Sequence, residues 1–227
     1  MPSPTLVMAH TGAVSSQSGP RRSTDAAQRS DVRIAPGADV AESASIGSGC
    51  SIWHLAQVRE DTDLGQDCIV GRGAYIGTGV SVGANCKIQN YALIYEPARL
   101  ANGVFVGPAA VFTNDQYPRA INPDGSLKQA SDWEAVGVTV DTGAAIGARA
   151  VCVAPVHIGA WAMVAAGSTV VNNVPAFALV AGSPARRIGW VGHAGHRLTP
   201  LGEEMYKCAE SGRTYRQIGQ ELTEASS

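Results

Sequence analysis

The chain has 227 residues, enough for one sizeable domain with a core of its own. A formal net charge of −2 argues against a nucleic-acid-binding protein, and no apolar run reaches the roughly 18 residues needed to cross a membrane. Hydrophobic residues make up 45% of the chain but aromatic residues only 6%, so the core has to be built from aliphatic and small side chains.

The N-terminal segment, residues 1–31, is rich in Ser, Ala, Gln and Gly and lacks the apolar stretch of a secretory signal. We predict a disordered tail here in preference to a partner-binding arm. The five cysteines of the chain lack paired spacing, which favours reduced thiols over a disulfide framework. A cytoplasmic location is therefore expected.

A six-residue repeat begins at Ile34 and continues to Phe112, with an aliphatic or aromatic residue every six positions and a mostly small residue four positions after each. Neither a helix nor a single strand has this period. It predicts a coil of short parallel strands, in which three hexads make one turn of a triangular prism. The aliphatic residues point inward, the small residues lie near the corners, and a Gly after the aliphatic residue is expected to relax the bend.

The repeat stops after Phe112 and resumes at Val140 with its register shifted by four residues. We therefore predict an all-β domain at 32–192 from which one loop, residues 113–139, protrudes. A short C-terminal extension, residues 193–227, is read as a polar tail with a strand around Thr214–Ile218.

Three cysteines, Cys50, Cys68 and Cys86, are spaced 18 residues apart and so occupy the small inward position of one side of the prism. Buried packing is favoured over zinc or redox chemistry for these thiols. His157, His193 and His196 show no partner pattern and are interpreted as surface residues.

Three blocks of sequence carry a family resemblance: "IWHLAQVREDTDLG" (52–65), "KIQNYALIYEPARLANGVFVGPAAVFTNDQYPRA" (87–120) and "VPAFALVAGSPARRIGW" (174–190). The hexads resemble those of hexapeptide-repeat acyltransferases. The blocks, in this order, resemble N-acetyltransferases that acylate UDP- or dTDP-linked 3-amino sugars. This resemblance covers roughly residues 32–192. It implies a left-handed parallel β-helix, acetyl-CoA as cosubstrate, a nucleotide-sugar acceptor and a homotrimer with active sites between subunits.

The chain departs from that family at two places near the expected sugar site. It has Gly71–Arg72–Gly73 where the family usually has Gly-Gln-Asn. It also has Tyr91 where a second Asn usually follows "KIQN". Both departures bear on which acceptor is used.

A ladder of outward side chains follows from the repeat, because adding 18 residues moves one turn up the same column. His54, Arg72, Asn90 and Pro108 share such a column, and the loop start "TNDQYPRA" is expected on the same face. Asn90 either positions the attacking amine through its side-chain carbonyl or forms a structural amide ladder. The backbone N–H of Gly107 is the candidate oxyanion donor.

His54 is the candidate base, although its separation of about 9.6 Å from Asn90 suits a sugar or phosphate contact better, and packing with Trp53 is the alternative. Asp115 is a second candidate base. Arg119 is interpreted as a diphosphate ligand or as a surface ion-pair partner. The candidate acceptor-binding residues are Arg72, Gln89, Asn114, Asp115, Tyr117 and Arg119.

The coenzyme is expected along the later coils. The small residues Ala165, Ala166 and Gly167 allow a pantetheine arm to approach the backbone, and Pro184, Arg186 and Arg187 are expected near the phosphates of CoA. A basic cap on the end of the coil is the alternative reading of the two arginines.

Two other functions are weighed against the N-acetyltransferase. A γ-type carbonic anhydrase needs three His ligands around zinc, whereas the coil contains only His54 and His157, so no metal site is predicted. A non-catalytic scaffold requires neither the protruding loop nor the arginine pair. An acyltransferase acting on another small amine or on a hydroxyl remains open.

Overall fold

The computed structural model describes residues 31–225, and the segment predicted as a disordered tail lies outside them except for Asp31. Short strands stack in parallel, and away from the loop and the last coil each pairs with the strand 18 residues further along, as in Ile34 on Ile52 and Ile88 on Val106. This offset is three hexads, as the repeat predicts. No helix in the described part of the chain is long and apolar enough to span a bilayer.

Three sheets form the sides of the prism, and a fourth sheet follows them. Sheet A contains Arg33–Ile34, Ser51–Ile52, Ile69–Val70, Lys87–Ile88, Phe105–Val106, Ala145–Ile146, Met163–Val164, Ala178–Gly182 and Ala185–Trp190. Sheet B contains Asp39–Val40, Gln57–Val58, Tyr75–Ile76, Leu93–Ile94, Val111–Phe112, Val151–Cys152 and Thr169–Val170. Sheet C contains Ser45–Ile46, Asp63–Leu64, Ser81–Val82, Arg99–Leu100, Val138–Val140 and Val156–Ile158. The C-terminal sheet contains Thr199–Gly202, Met205–Lys207, Thr214–Ile218 and Glu221–Glu224. The fold is the all-β, left-handed parallel β-helix of hexapeptide-repeat proteins, as expected.

The core follows the two predicted positions of each hexad. Aliphatic residues such as Ile52 and Ile88 are buried, and so are the small residues four positions later. The thiols of Cys50, Cys68 and Cys86 donate to backbone carbonyl oxygens 3.1–3.2 Å away, which confirms them as packing residues. Cys152 fills an aliphatic position, and burial raises the pKa of its thiol to about 12, so it stays neutral.

A glycine follows many of the aliphatic residues, and it is required there for a different reason from the one expected. Gly65 and Gly71 do not have positive φ. Instead, a Cβ at Gly65 would lie 2.6 Å from the backbone nitrogen of Ala84 in the next coil. The left-handed backbone occurs two residues after this glycine, as at Asp67 and Gly73. Close stacking of coils, and not bending, requires the first glycine.

The loop leaves sheet B after Phe112 and the chain enters sheet C at Val138, one residue before the predicted loop end. Parallel strand pairing resumes after the loop, where Leu100 pairs with Val140. The loop folds on itself through a bridge between Ile121 and Leu127. It also contains a short 3-10 helix, Ala130–Asp132.

The C-terminal extension forms an antiparallel sheet that includes the predicted strand Thr214–Ile218. Tyr215 is fully buried, and its hydroxyl lies 2.9 Å from Nδ1 of His193. The His193 ring also contacts Trp161 and Phe177, at ring-centroid distances of 4.7 and 4.9 Å. Reading His193 as a surface residue was therefore wrong: it is half-buried between the last coils and the extension.

Candidate active site

A groove lies at the edge where sheets A and B meet. This A/B edge consists of the connecting segments 35–38, 53–56, 71–74, 89–92, 107–110, 147–150 and 165–168. The groove has a volume of about 330 Å³ and is lined by Trp53, His54, Ile69, Gly71, Arg72, Gln89 and Asn90. It brings together four of the predicted site residues, because an 18-residue spacing stacks His54, Arg72 and Asn90 in successive coils and Gln89 adjoins Asn90.

The charge of this edge differs from that of the chain as a whole. From Arg33 to Ser168, the strands of sheet A and the segments of the A/B edge contain no Asp or Glu, although the net charge of the protein is −2. They carry Arg33, Arg72, Lys87 and Arg149. An anionic ligand is therefore favoured along this edge.

Asn90 uses only one end of its side-chain amide within the coil. Its Oδ1 accepts a hydrogen bond of 2.8 Å from the backbone N–H of Arg72. Asn102 makes the same bond to Ala84, also at 2.8 Å, at a different edge. The carbonyl of Asn90 is thus a rung of a structural ladder, as the second of the two interpretations expects, and the second lone pair of its oxygen is not used within the described residues. Within residues 31–225 its Nδ2 group has no acceptor.

The predicted oxyanion donor is also occupied. The N–H of Gly107 donates to the carbonyl oxygen of Ile146 at 2.7 Å, as part of the parallel ladder. Pro108 has no N–H, and the N–H of Ala109 donates to the carbonyl oxygen of Asn90. Gly107 is therefore not a free donor, because strand stacking consumes its N–H. The Nδ2 group of Asn90 is a side-chain donor without a partner among residues 31–225, and it lies in the groove.

Arg72 is held by the next coil at three points. In addition to the bond from its N–H to Asn90, its carbonyl oxygen accepts the N–H of Tyr91 at 2.9 Å. Its Nε lies 3.3 Å from the hydroxyl of Tyr91. The Tyr91 ring lies over Gly73, where a Cβ would sit 2.6 Å from ring carbons. The two departures from the family pattern are thus in direct contact.

His54 is exposed and lies two coils from Asn90 in the ladder. Its ring is tilted against Trp53, with ring centroids 6.5 Å apart. The guanidinium of Arg33 lies 4.5 Å from the centroid of the Trp53 ring. The packing alternative is therefore realised for Trp53, while the imidazole of His54 lines the groove.

The predicted acceptor-binding residues of the loop do not lie at the groove. The loop leaves at the edge between sheets B and C, so Thr113 is separated from Pro108 by one side of the prism, about 16 Å. Asp115 and Tyr117 line a separate pocket of about 320 Å³ within the loop. The expectation that ladder and loop share one face has to be corrected, because they flank sheet B at opposite edges. Asn114 and Arg119 do not line the groove either.

The predicted coenzyme residues fall into two groups. Ala165, Ala166 and Gly167 lie on the A/B edge, three coils or about 14 Å from Asn90. Pro184 lies in the turn between the antiparallel strands Ala178–Gly182 and Ala185–Trp190. These strands close the end of sheet A.

The two arginines of that hairpin differ in their surroundings. Arg187 stacks on Trp190 at 4.1 Å and donates to Oε1 of Gln220 at 3.0 Å. Arg186 is exposed and donates only to the neighbouring carbonyl oxygen of Ala185. Both line a pocket of about 230 Å³. Arg187 is therefore partly a structural residue, and Arg186 is the freer cation.

A contact between a histidine and an aspartate was not predicted from the sequence. Nε2 of His157 lies 2.8 Å from Oδ2 of Asp141 at the surface. A groove of about 500 Å³ contains this pair and residues 220–223 of the C-terminal sheet. The only available signal was that positions 139 and 157 share a column, which places Asp141 near His157. Among residues 31–225, no three His, Cys, Asp or Glu side chains are grouped as a metal site requires.

Comparison with known families identifies two matching segments. Residues 61–96 match the bacterial transferase hexapeptide (six repeats), and residues 137–171 match the hexapeptide repeat of succinyl-transferase. Both segments lie in the coil, on either side of the loop.

Individual relatives match parts of the chain. A serine acetyltransferase of Arabidopsis thaliana is 33% identical over 100 residues, which are 44% of this chain and 22% of that protein. The dTDP-3-amino-3,6-dideoxy-α-D-galactopyranose 3-N-acetyltransferase of Aneurinibacillus thermoaerophilus is 52% identical over 52 residues, which are 23% of this chain and 27% of that enzyme. The chain thus spans about a quarter of the length of these relatives.

A solved structure supports the same architecture. A hexapeptide-repeat acetyltransferase of Vibrio cholerae, in complex with acetyl coenzyme A, superposes with a TM-score of 0.50 and 24% identity, covering 57% of this chain and 70% of that one. This similarity concerns the fold. The chain thus carries repeats of the hexapeptide transferase type on both sides of the loop.

Proposed function

We propose that the protein transfers the acetyl group of acetyl-CoA to the amino group of a nucleotide-linked amino sugar of the UDP- or dTDP-3-amino type. The observation that carries this proposal is the groove at the A/B edge, where His54, Arg72, Gln89 and Asn90 meet on a surface without acidic residues. Diphosphate-linked sugars and CoA are both polyanions. The 52% identity to a dTDP-amino-sugar N-acetyltransferase supports this acceptor class.

The chemistry requires the neutral amine to attack the thioester carbonyl. A C–N bond forms, the C–S bond breaks, and the thiolate of CoA leaves while the amine loses a proton. Asn90 stabilises the oxyanion of the intermediate through its free Nδ2 group. Gln89 and His54 contact the sugar. His54 lies two coils from Asn90, about 9.6 Å, so the amine proton passes to solvent in the open groove.

The coenzyme lies along the A/B edge above Asn90. Between Asn90 and the hairpin this edge presents small residues, including Ala148 and the Ala165–Ala166–Gly167 segment. The span of about 14 Å suits an extended pantetheine arm. The phosphates then reach Arg186 and Pro184 at the end of sheet A.

A homotrimer completes the site. The groove is open, and Asn114, Asp115, Tyr117 and Arg119 are too far away in the same chain to close it. The loop exposes apolar side chains, with Tyr117 74% exposed and Leu127 68% exposed, which suits contact with a neighbouring copy. Sedimentation at micromolar concentration is expected to give a trimer, and a purely monomeric protein would contradict this assembly.

The cell compartment follows from the same proposal. Nucleotide sugars and acetyl-CoA are cytoplasmic metabolites, and the cysteines of the described residues are all free thiols. We therefore place the reaction in the cytoplasm.

The similarity to a serine acetyltransferase favours a second acceptor class, a small amine or hydroxyl compound. Release of free CoA thiol from acetyl-CoA, measured with UDP- and dTDP-linked 3-amino sugars, with the free sugars and with serine, separates the two. Turnover is expected only with the nucleotide-linked amines. Turnover with serine alone would replace the amino-sugar acceptor with the second class. Thiol release that needs no acceptor would contradict the proposed transfer.

Replacing Arg186 with Ala is expected to weaken CoA binding about tenfold, since a charged phosphate contact is lost while the hairpin stays intact. Arg187→Ala also removes the Trp190 stack and the Gln220 bond, so its melting temperature should fall as well. Calorimetric titration with CoA, together with thermal melts, checks both variants. Unchanged CoA affinity in Arg186→Ala would exclude this phosphate site.

A further inference from the structure

One side-chain contact orients the guanidinium of Arg72, because its Nε lies 3.3 Å from the hydroxyl of Tyr91 in the next coil. The backbone N–H and carbonyl oxygen of Arg72 are fixed by hydrogen bonds to Asn90 and Tyr91, which hold the base of the side chain in place. Long exposed side chains lose rotamer freedom at a free-energy cost when they are fixed in this way. A fixed guanidinium is characteristic of a group that recognises a ligand of defined geometry.

The free part of Arg72 faces a groove without acidic residues. Of its guanidinium nitrogens, only Nε has a hydrogen-bond partner among residues 31–225. The two terminal nitrogens form a planar fork that matches two oxygens of a carboxylate or phosphate. The groove lining offers this fork no internal carboxylate, so the fork is available to an oxyanion of a ligand.

The position of Tyr91 depends on Gly73. Residue 73 has a φ of +63°, and a side chain there would meet the Tyr91 ring. The same arrangement recurs where Trp161 lies over Gly143 at the edge between sheets C and A, so packing of an aromatic ring over a glycine of the preceding coil is a general feature of this fold. Tyr91 and Gly73 therefore act together, and their joint effect is to direct Arg72.

We infer that Arg72, positioned by Tyr91 across Gly73, is the specificity determinant that selects an acceptor carrying an oxyanion, a carboxylate or a phosphate, next to the amine that is acylated. The inference rests on the proposed function for the reaction, but the anion site itself is independent of turnover. In the proposed arrangement the phosphates of CoA lie near Arg186, in the hairpin that closes sheet A, so the oxyanion at Arg72 belongs to the acceptor.

Binding without an acyl donor tests the site. Calorimetric titrations use UDP, dTDP, glucuronate and UDP-glucuronic acid as probes. Arg72→Gln is expected to weaken the best probe at least tenfold, Arg72→Lys to restore part of the affinity, and Tyr91→Phe to weaken it about fivefold. The control is Arg99→Gln, which removes one exposed positive charge from sheet C and should leave binding unchanged.

The probes distinguish the two sources of the oxyanion. If Arg72→Gln loses affinity only for glucuronate and UDP-glucuronic acid, the oxyanion is a carboxylate. If it loses affinity equally for UDP or dTDP, the oxyanion is a phosphate. CoA affinity and melting temperatures should not change in any of these variants. With an acceptor that turns over, Tyr91→Phe should raise KM while kcat stays the same.

Two results overturn the inference: no binding of any anionic probe to the wild type, or equal affinities in wild type, Arg72→Gln and Tyr91→Phe. A protein that binds these anions through Arg72 but acylates no amino sugar would sustain the anion site and overturn the proposed function alone. Acylation of an amino sugar at the same rate by the wild type and Arg72→Gln would overturn the anion site and sustain the proposed function.

Discussion

Replacing Asn90 with Asp is expected to lower kcat about a hundredfold while the melting temperature stays close to that of the wild type. Aspartate keeps an oxygen to accept the N–H of Arg72, so the ladder bond survives. It removes the Nδ2 donor, and loss of one oxyanion-stabilising donor costs on the order of a hundredfold. Single-turnover kinetics with saturating acetyl-CoA measure the effect on the chemical step.

The matched control is Asn102, which makes the same 2.8 Å bond to a backbone N–H outside the groove. Asn102→Asp should leave both turnover and stability unchanged. Asn90→Ala and Asn102→Ala should each lose about 1 kcal/mol of stability, because each leaves a backbone donor without its partner. Only the first should lose activity. Normal turnover in Asn90→Asp would refute the donor role of Asn90 and leave it a structural residue.

Replacing Gly65 with Ala is expected to destabilise the protein by about 3 kcal/mol. The new Cβ would lie 2.6–2.7 Å from backbone atoms of Gly83 and Ala84, and a stacked coil has no flexible side chain that can move aside. Denaturant unfolding gives the change in free energy directly.

Gly79→Ala provides the comparison, since Gly79 has a φ of +65° but open space around its Cα. Only backbone strain acts there, at a cost of about 1 kcal/mol. If Gly79→Ala proved as harmful as Gly65→Ala, left-handed backbone conformation, and not coil contact, would be the dominant constraint in this repeat.

Much of the site could be predicted from the sequence, because the 18-residue spacing alone stacks His54, Arg72 and Asn90. The contact of Tyr91 with Gly73 follows the same spacing and was available, since a bulky residue one coil above a glycine is visible in the sequence. What could not be predicted is which atoms are free. The N–H of Gly107 donates to Ile146, the Oδ1 of Asn90 accepts from Arg72, and a spacing rule does not record hydrogen-bond partners.

The position of the loop shows a second limit. The length of the interruption after Phe112 is readable, but its distance from the ladder depends on which edge of the prism it leaves. Likewise, Arg186 and Arg187 look equivalent in sequence. In the structure, packing against Trp190 and the C-terminal sheet engages one of them and leaves the other exposed.

The sequence by itself determined the prism, its three sheets, its core and the column that carries the groove, because each hexad repeats the same local preference and each coil stacks on an identical neighbour. Only the tertiary structure decided that the carbonyl of Asn90 binds the preceding coil while its Nδ2 group stays unpaired, that Tyr91 contacts Arg72, and that His193 lies half-buried against the extension. These features depend on side-chain orientation and on contacts between segments without a common repeat, and such contacts are established only when the chain has folded.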